Sequence, residues 1–265
     1  MKKLVSILLM AAMAGSMLVG CGTKGNATDW EYIKNKNEMV VGITLYEPMN
    51  YYDENGKLIG FDTEFAEAVS DIVGVPIKFQ EIEWDQKEVE LKSKKIDCIW
   101  NGLTVTEDRK ANMAFSKSYV VNEQVVVINK ANQDKFTSLE DMDGINVCAE
   151  SGSAGESAIE ADPHLSTGNY LGCSAQKDAL LEVKAGTCDA AVLDSTLAKA
   201  VINEDTDYSD LLILYGASLQ SEEYAIGFRL EDTETVAKIN AAIDELVANG
   251  KLAELGEKYG VDVIK

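Results

Sequence analysis

The sequence predicts an α/β protein built as two lobes with a cleft between them. Three observations point there. Strand-like and helix-like segments alternate along the body of the chain, the pattern of helices packed on a mostly parallel sheet. The alternation falls into two series of similar size, and extended stretches near 124–128 and 223–229 cross between them. The 265 residues are 46% hydrophobic and 26% charged, a globular composition long enough for sizeable cores. One larger sheet would give a similar alternation, so the pattern alone leaves both arrangements open.

The elements follow in order. Residues 39–45 form an apolar run that reads as the first strand, and Asp53-Glu54-Asn55-Gly56 supplies a turn between Tyr51-Tyr52 and Leu58-Ile59. Asp62 precedes a helix whose apolar face is Phe65, Ala66, Val69, Ile72 and Val73. Strands are predicted over 77–82 and 96–100, with a short helix near 88–93 between them. The strand over 124–128 and a polar stretch over 129–135 lead into the second series. Its strands are predicted over 145–149, 170–172, 190–193 and 211–214, with helices starting near Ser153, Gln176 and Ser195. The last long helix covers 233–248 on Val236, Ile239, Ala242, Ile243 and Leu246. Asn249-Gly250 then makes a C-cap signal before a short helix holding Leu252 and Leu255.

The N-terminus reads as an address. Met1-Lys2-Lys3 precedes an apolar stretch over 4–19 without an acidic residue, too short to span a bilayer comfortably. It ends in Leu18-Val19-Gly20-Cys21, which resembles the bacterial lipobox. The resemblance implies a signal peptide over 1–20, thioether lipidation of Cys21 with palmitate-like acylation, and lipid anchoring on the extracytoplasmic face of the cell membrane. Residues 21–36 then form the lipidated tether. Each buried acyl CH₂ contributes about 0.8 kcal/mol to such anchoring. An ordinary signal peptide with a chance cysteine is the alternative.

Charge and composition exclude several classes. With 45 Asp+Glu against 24 Lys+Arg the formal charge is −21, which repels phosphate backbones and argues against a nucleic-acid partner. One histidine, His164, limits zinc sites and His-paired nucleophiles to a single residue. Gly20 to Gly25 fits G-x-G-x-x-G, but no strand precedes it and no helix follows, so it is a chance match. Cys98 and Cys148 read as buried thiols, Cys173 and Cys188 leave a disulfide open, and no C-x-x-C spacing exists. No metal and no cofactor are expected.

Four stretches carry a resemblance: Gly60-Phe61-Asp62; the run from Ile96 to Arg109 (IDCIWNGLTVTEDR); Phe115-Ser116-x-Ser118-Tyr119; and the run from Gly186 to Asp194 (GTCDAAVLD). From about Met39 to Tyr259 the chain resembles the polar amino-acid-binding proteins of ABC importers, solute-binding protein family 3. The resemblance implies a two-lobed, periplasmic-binding-protein-like (type II) fold with a two-strand hinge. Lobe 1 would comprise 37–123 and 224–265, and lobe 2 would comprise 124–223. It implies a non-enzymatic monomer that takes one free amino acid and hands it to an ABC permease with its ATPase subunits. A dehydratase-type enzyme or a ligand-sensing module on the same scaffold is the alternative.

An α-amino acid presents a carboxylate and an ammonium a few ångströms apart, so a selective site needs a fixed cation and a fixed anion. The resemblance places the Arg109 fork on the carboxylate, a geometry suited to two oxygens. It adds the Thr104 hydroxyl and the amides of Ser153 and Ala154, which open a predicted helix where anions are favoured. Asp194 matches the position that takes the ammonium, with the Gly102 carbonyl as second acceptor. Tyr46 and Trp84 match rings that sandwich the ligand side chain, and Asn101 and Glu150 fall beside the site. Each residue also has a plain alternative. Arg109 would be a surface residue of a helical turn, Asp194 a helix N-cap, Thr104 an ordinary strand residue, and Gly102 a tight turn. Tyr46 and Trp84 would be core rings, and Glu150 would be solvated rather than paired with a cationic side chain. Thr44 stands where cationic-ligand binders of the family often carry Asp, which weighs against lysine or arginine and leaves room for glutamine, histidine or cystine.

Overall fold

The computed structural model describes residues 28–264. The signal segment, Cys21 and the tether through residue 27 lie outside the described residues.

The first described element corrects the tether. Residues 29–36 were expected in it, but α1 (Asp29–Lys36) is a capped helix whose Trp30 and Ile33 are buried in the first lobe's core. Thr28 Oγ1 accepts from Glu31 N at 3.2 Å and the Glu31 carboxylate accepts from Thr28 N at 3.1 Å, a reciprocal capping box. The Asp29 carboxylate also accepts from Thr235 N at 2.7 Å, which ties the helix to the C-terminal part of the chain.

β1 (Met39–Ile43), the hairpin β2 (Tyr51–Tyr52) and β3 (Leu58–Ile59), α2 (Phe61–Val73), β4 (Ile77–Glu81), α3 (Lys87–Lys92), β5 (Cys98–Ile99), α4 (Glu107–Lys110) and β6 (Ala114–Phe115) build the first lobe. β7 (Val120–Asn129) leads into the second lobe. There β8 (Asn146–Glu150), α5 (Ala154–Ala161), β9 (Asn169–Cys173), α6 (Gln176–Ala185), β10 (Ala190–Asp194) and α7 (Ser195–Val201) alternate, and β11 (Leu211–Tyr224) leads back. β12 (Gly227–Phe228), α8 (Thr233–Ala248) and α9 (Lys251–Tyr259) complete the first lobe.

Each lobe holds its own five-stranded sheet, ordered β4-β1-β5-β12-β6 in the first and β11-β7-β10-β8-β9 in the second. This resolves the choice between two lobes and one large sheet. β1 runs parallel to β4 and β5, and β8 runs parallel to β9 and β10, so strand C-terminal ends gather on one side of each sheet. Ligand sites of open α/β sheets form at those ends. β7 and β11 pair antiparallel as the two strands that join the lobes, with Val120 opposite Tyr224 and Asn122 opposite Glu222.

Phe61, Phe65, Trp100 and Tyr119 pack behind the first lobe's strand ends, with Phe65 edge-on to Trp100 at 5.2 Å between centroids. Fully buried aromatic rings of this kind fix the loop that follows β5. Cys98, Cys148, Cys173 and Cys188 are all buried and free. No helix among the described residues is long and apolar enough to cross a membrane.

Candidate functional site

The two lobes face each other across a small cavity, and the structure places all ten residues expected at the site around it, with Thr44 and Gln176. Tyr46, Trp84, Asn101, Gly102, Thr104 and Arg109 come from the first lobe. Glu150, Ser153, Ala154 and Asp194 come from the second.

Arg109 sits in the single turn α4, where Thr106 Oγ1 accepts from its N–H at 3.1 Å. Its side chain turns inward rather than to solvent and is 8% exposed. Nη1 donates to the Thr104 carbonyl at 2.8 Å, and Nη2 reaches across the cleft to the Gly152 carbonyl at 3.1 Å. A guanidinium carries five N–H donors, so three have no acceptor among the described residues. No carboxylate forms an ion pair with it there. Burial lowers its pKa from the ordinary value, opposed by Glu222 and Asp194, yet an arginine stays charged.

Asp194 ends β10 and stands at the N-cap position of α7, but its side chain makes no capping bond. It instead accepts from Asn122 Nδ2 at 2.8 Å, Gln124 Nε2 at 2.6 Å and Gln176 Nε2. Three amide donors hold one carboxylate in a fixed place. The Gly102 carbonyl has no donor among the described residues. Gly102 itself has φ +56, and a Cβ there would lie 2.5 Å from Tyr46 Cε1. Glycine is thus required for both the turn and the ring.

Several expected roles change once neighbours are visible. The Thr104 hydroxyl, expected on the ligand carboxylate, donates to Glu222 Oε1 at 2.9 Å. Asn101 accepts from Thr44 N and Oγ1 through Oδ1, and donates through Nδ2 to the Thr44 carbonyl and Asn50 Oδ1. Its amide therefore pins the loop after β1. The Ser153 N–H donates to the Glu150 carbonyl at 3.1 Å, while the Ala154 N–H has no acceptor among the described residues. Ser153 Oγ caps α5 by accepting from Glu156 N at 3.1 Å. Tyr46 is anchored at its tip, 2.6 Å from the Tyr224 hydroxyl. Asp62, expected to precede a helix, lies inside α2 and accepts from Gly102 N at 2.7 Å. Burial pushes its carboxyl up to about 7.

Three functional groups escaped the sequence. Lys87 begins α3 like an ordinary surface lysine, yet it is buried, donating to the Trp84 carbonyl at 3.1 Å and the Gly152 carbonyl at 2.8 Å. Burial, then the nearby Arg109 charge, lowers it to about 8. Glu222 lies within the joining strand β11 and accepts from Thr104, Asn122 and Gln124 through Oε1, while Oε2 is buried without a partner. Burial and the Asp194 charge raise its carboxyl well above the usual range. Gln176 opens α6 and holds Asp194 at both its N–H and its carboxylate. His164 pairs with Asp143 at 2.9 Å, away from the cavity.

A cavity closed between two hinge-joined α/β lobes, with a buried guanidinium on one wall and an amide-held carboxylate on the other, defines the class. It is a type II periplasmic-binding-protein fold. The chain belongs to the bacterial extracellular solute-binding proteins, family 3, whose profile matches residues 22–262. It is 26% identical over 266 residues to the L-cystine-binding protein TcyJ of Escherichia coli K12, covering 97% of this chain and 96% of that protein. It is 29% identical over 257 residues to the arginine-binding extracellular protein ArtP of Bacillus subtilis, covering 96% of each. Among solved structures, an ABC uptake transporter substrate-binding protein from Streptococcus pneumoniae with bound histidine superposes with a TM-score of 0.81. The identity there is 32%, over 89% of this chain and 98% of that one.

Proposed function

We propose that the protein captures one free polar amino acid between its lobes and delivers it to an ABC permease and its ATPase subunits. It does so as a monomer anchored by a lipid on Cys21 to the extracytoplasmic face of the cell membrane. The observation that carries this reading is the pairing of Arg109 in one lobe with Asp194 in the other across a single cavity. A ligand carboxylate on the guanidinium and an ammonium on Asp194 and the Gly102 carbonyl would bridge both lobes. The unpartnered Ala154 N–H at the start of α5 supports a carboxylate there as well. Relatives named for cystine and arginine, and a relative holding histidine, support a free amino acid as the ligand class.

Magnitude favours a closed site. Micromolar affinity needs about −8.2 kcal/mol, and small ligands reach at best roughly −1.5 kcal/mol per heavy atom. A free amino acid has roughly ten such atoms, so both charges must be matched away from water.

The dehydratase-type reading draws on one observation, a Glu150 carboxyl raised to about 8, the range of a general acid. Equilibrium dialysis with labelled amino acids, followed by mass analysis, separates the two. One equivalent bound and recovered unchanged is expected of a carrier, and steady conversion would identify an enzyme. Cys21→Ser should move the protein from the membrane to the soluble fraction; retention at the membrane contradicts the lipid anchor.

A further inference from the structure

Glu150 closes β8 on the second lobe's wall of the cavity and is 4% exposed. Its carboxylate has no hydrogen-bond or ion-pair partner among the described residues. That makes it unlike the other acids of the site, since Asp194 has three amide donors and Glu222 has three donors on one oxygen. A buried carboxylate without a partner is costly when it is charged. A ligand that supplies the partner recovers that cost.

The charged groups around it do not fill the role. Lys87 on α3, Arg109 on α4, Asp178 on α6 and Asp194 on β10 all act on Glu150 through space. The two cations aim elsewhere: Lys87 Nζ donates to the Trp84 and Gly152 carbonyls and lies 4.7 Å above the Trp84 ring, and Arg109 holds the Thr104 and Gly152 carbonyls. Neither comes within 4.0 Å of the Glu150 oxygens. Across the cavity the wall offers no other anion at Thr44, whose hydroxyl donates to Asn101 Oδ1 at 2.7 Å.

Charge balance leads to the same group. With all ionisable side chains charged, the cavity lining holds Arg109 against Glu150 and Asp194, one anion in excess, and Lys87 and Glu222, buried just behind that lining, offset each other. A zwitterion leaves that excess in place, whereas an amino acid with one further cationic group removes it. Strong attraction is available because the site is screened from water. We propose that Glu150 receives the cationic side chain of a basic amino acid, so that the second lobe supplies the anion that selects lysine-, ornithine- or arginine-like ligands. This rests on the amino-acid-capture reading above and narrows it.

Calorimetry on the ligand-stripped protein and on Glu150→Gln, at pH 8, tests the assignment. One arm of the panel is L-arginine, L-lysine and L-ornithine. The other is L-citrulline, L-glutamine and L-histidine, which are close to net neutral at that pH. The wild type should bind at least one basic member 100-fold more tightly than citrulline or glutamine. In Glu150→Gln that advantage should fall at least 30-fold. A wild type that prefers the net-neutral arm, or a variant that keeps its preference for basic ligands, overturns the Glu150 assignment and leaves the capture reading standing. A protein that binds no member of either arm overturns the capture reading itself. Matching melting temperatures of the two ligand-free proteins show that the variant is folded.

Discussion

Asn122 and Glu222 face each other in register on the two strands that join the lobes, and the Asn122 side-chain amide lies 2.7 Å from Glu222 Oε1 and 2.8 Å from Asp194 Oδ1. The same amide group thus touches the hinge and the carboxylate assigned to the ligand's ammonium. Gln124, two residues along the same strand face, repeats the arrangement at 2.9 and 2.6 Å. On the proposed function, a ligand held at Asp194 would bear on both joining strands through these amides.

Replacing Asn122 with alanine should therefore affect both stability and binding. Two buried carboxylates lose a shared donor, and hydrogen bonds to charged groups contribute about 1.5–3 kcal/mol each. The expected result is a loss of about 2–3 kcal/mol in urea unfolding and a ligand affinity weakened by at least tenfold. Unchanged affinity would mean that Asp194 does not depend on the hinge for its position.

Arg109→Ala removes the one arginine lining the cavity among the described residues and takes the guanidinium donor from the Thr104 and Gly152 carbonyls, of which Gly152 keeps Lys87 Nζ. Affinity should fall by 100-fold or more, in line with about 3 kcal/mol for a charge-assisted pair. Circular dichroism should still report the α/β fold. Retained affinity in a folded variant would remove the carboxylate assignment.

At Gly102 the backbone has φ +56 and the Tyr46 ring lies where a Cβ would go. Gly102→Ala should cost about 2–4 kcal/mol from strain and overpacking together. That corresponds to a melting temperature lowered by roughly 5–15 °C. A wild-type melting temperature would show that the loop after β5 relaxes freely.

The pH dependence follows from groups whose folded pKa values differ from their unfolded ones. Glu150 is raised from 4.5 to about 8 and Asp62 from 3.8 to about 7, so the folded state holds more protons than the unfolded state across that interval. Their stability contribution is present in full below pH 4 and is lost as pH rises through 7 and 8. Lys87, lowered from 10.5 to about 8, acts in the opposite direction above pH 8, where the unfolded state holds the extra proton. The ligand-free protein should lose on the order of 5 kcal/mol between pH 5.5 and 8, and Glu150→Gln should remove more than half of that slope. A slope identical in the variant would place the titration elsewhere.

Much of this molecule is legible in its sequence where burial follows a simple period. The helix predicted over 233–248 is the observed α8, because its apolar face recurs without interruption. The joining strands were legible only in part. Residues 124–128 and 211–214 were readable as strand, yet β7 runs from Val120 and β11 continues to Tyr224. The missing portions carry Asn122, Gln220 and Glu222, and polar residues break the apolar pattern there. Lys87 and Gln176 were hidden for the same reason, since a polar side chain at a helix start reads as solvated. For α1 a signal was present: Thr28 and Glu31 spell a capping box, with Trp30 and Ile33 one turn apart.

The most direct test of the central claim asks whether the ligand's two α-groups are both held. Calorimetry would compare the best free amino acid with its α-methyl ester and its Nα-acetyl derivative, using protein stripped of endogenous ligand. The opposed Arg109 and Asp194 predict one ligand per chain, with each derivative at least 100-fold weaker than the parent. Binding of either derivative with undiminished affinity would contradict the capture of a zwitterion between the lobes.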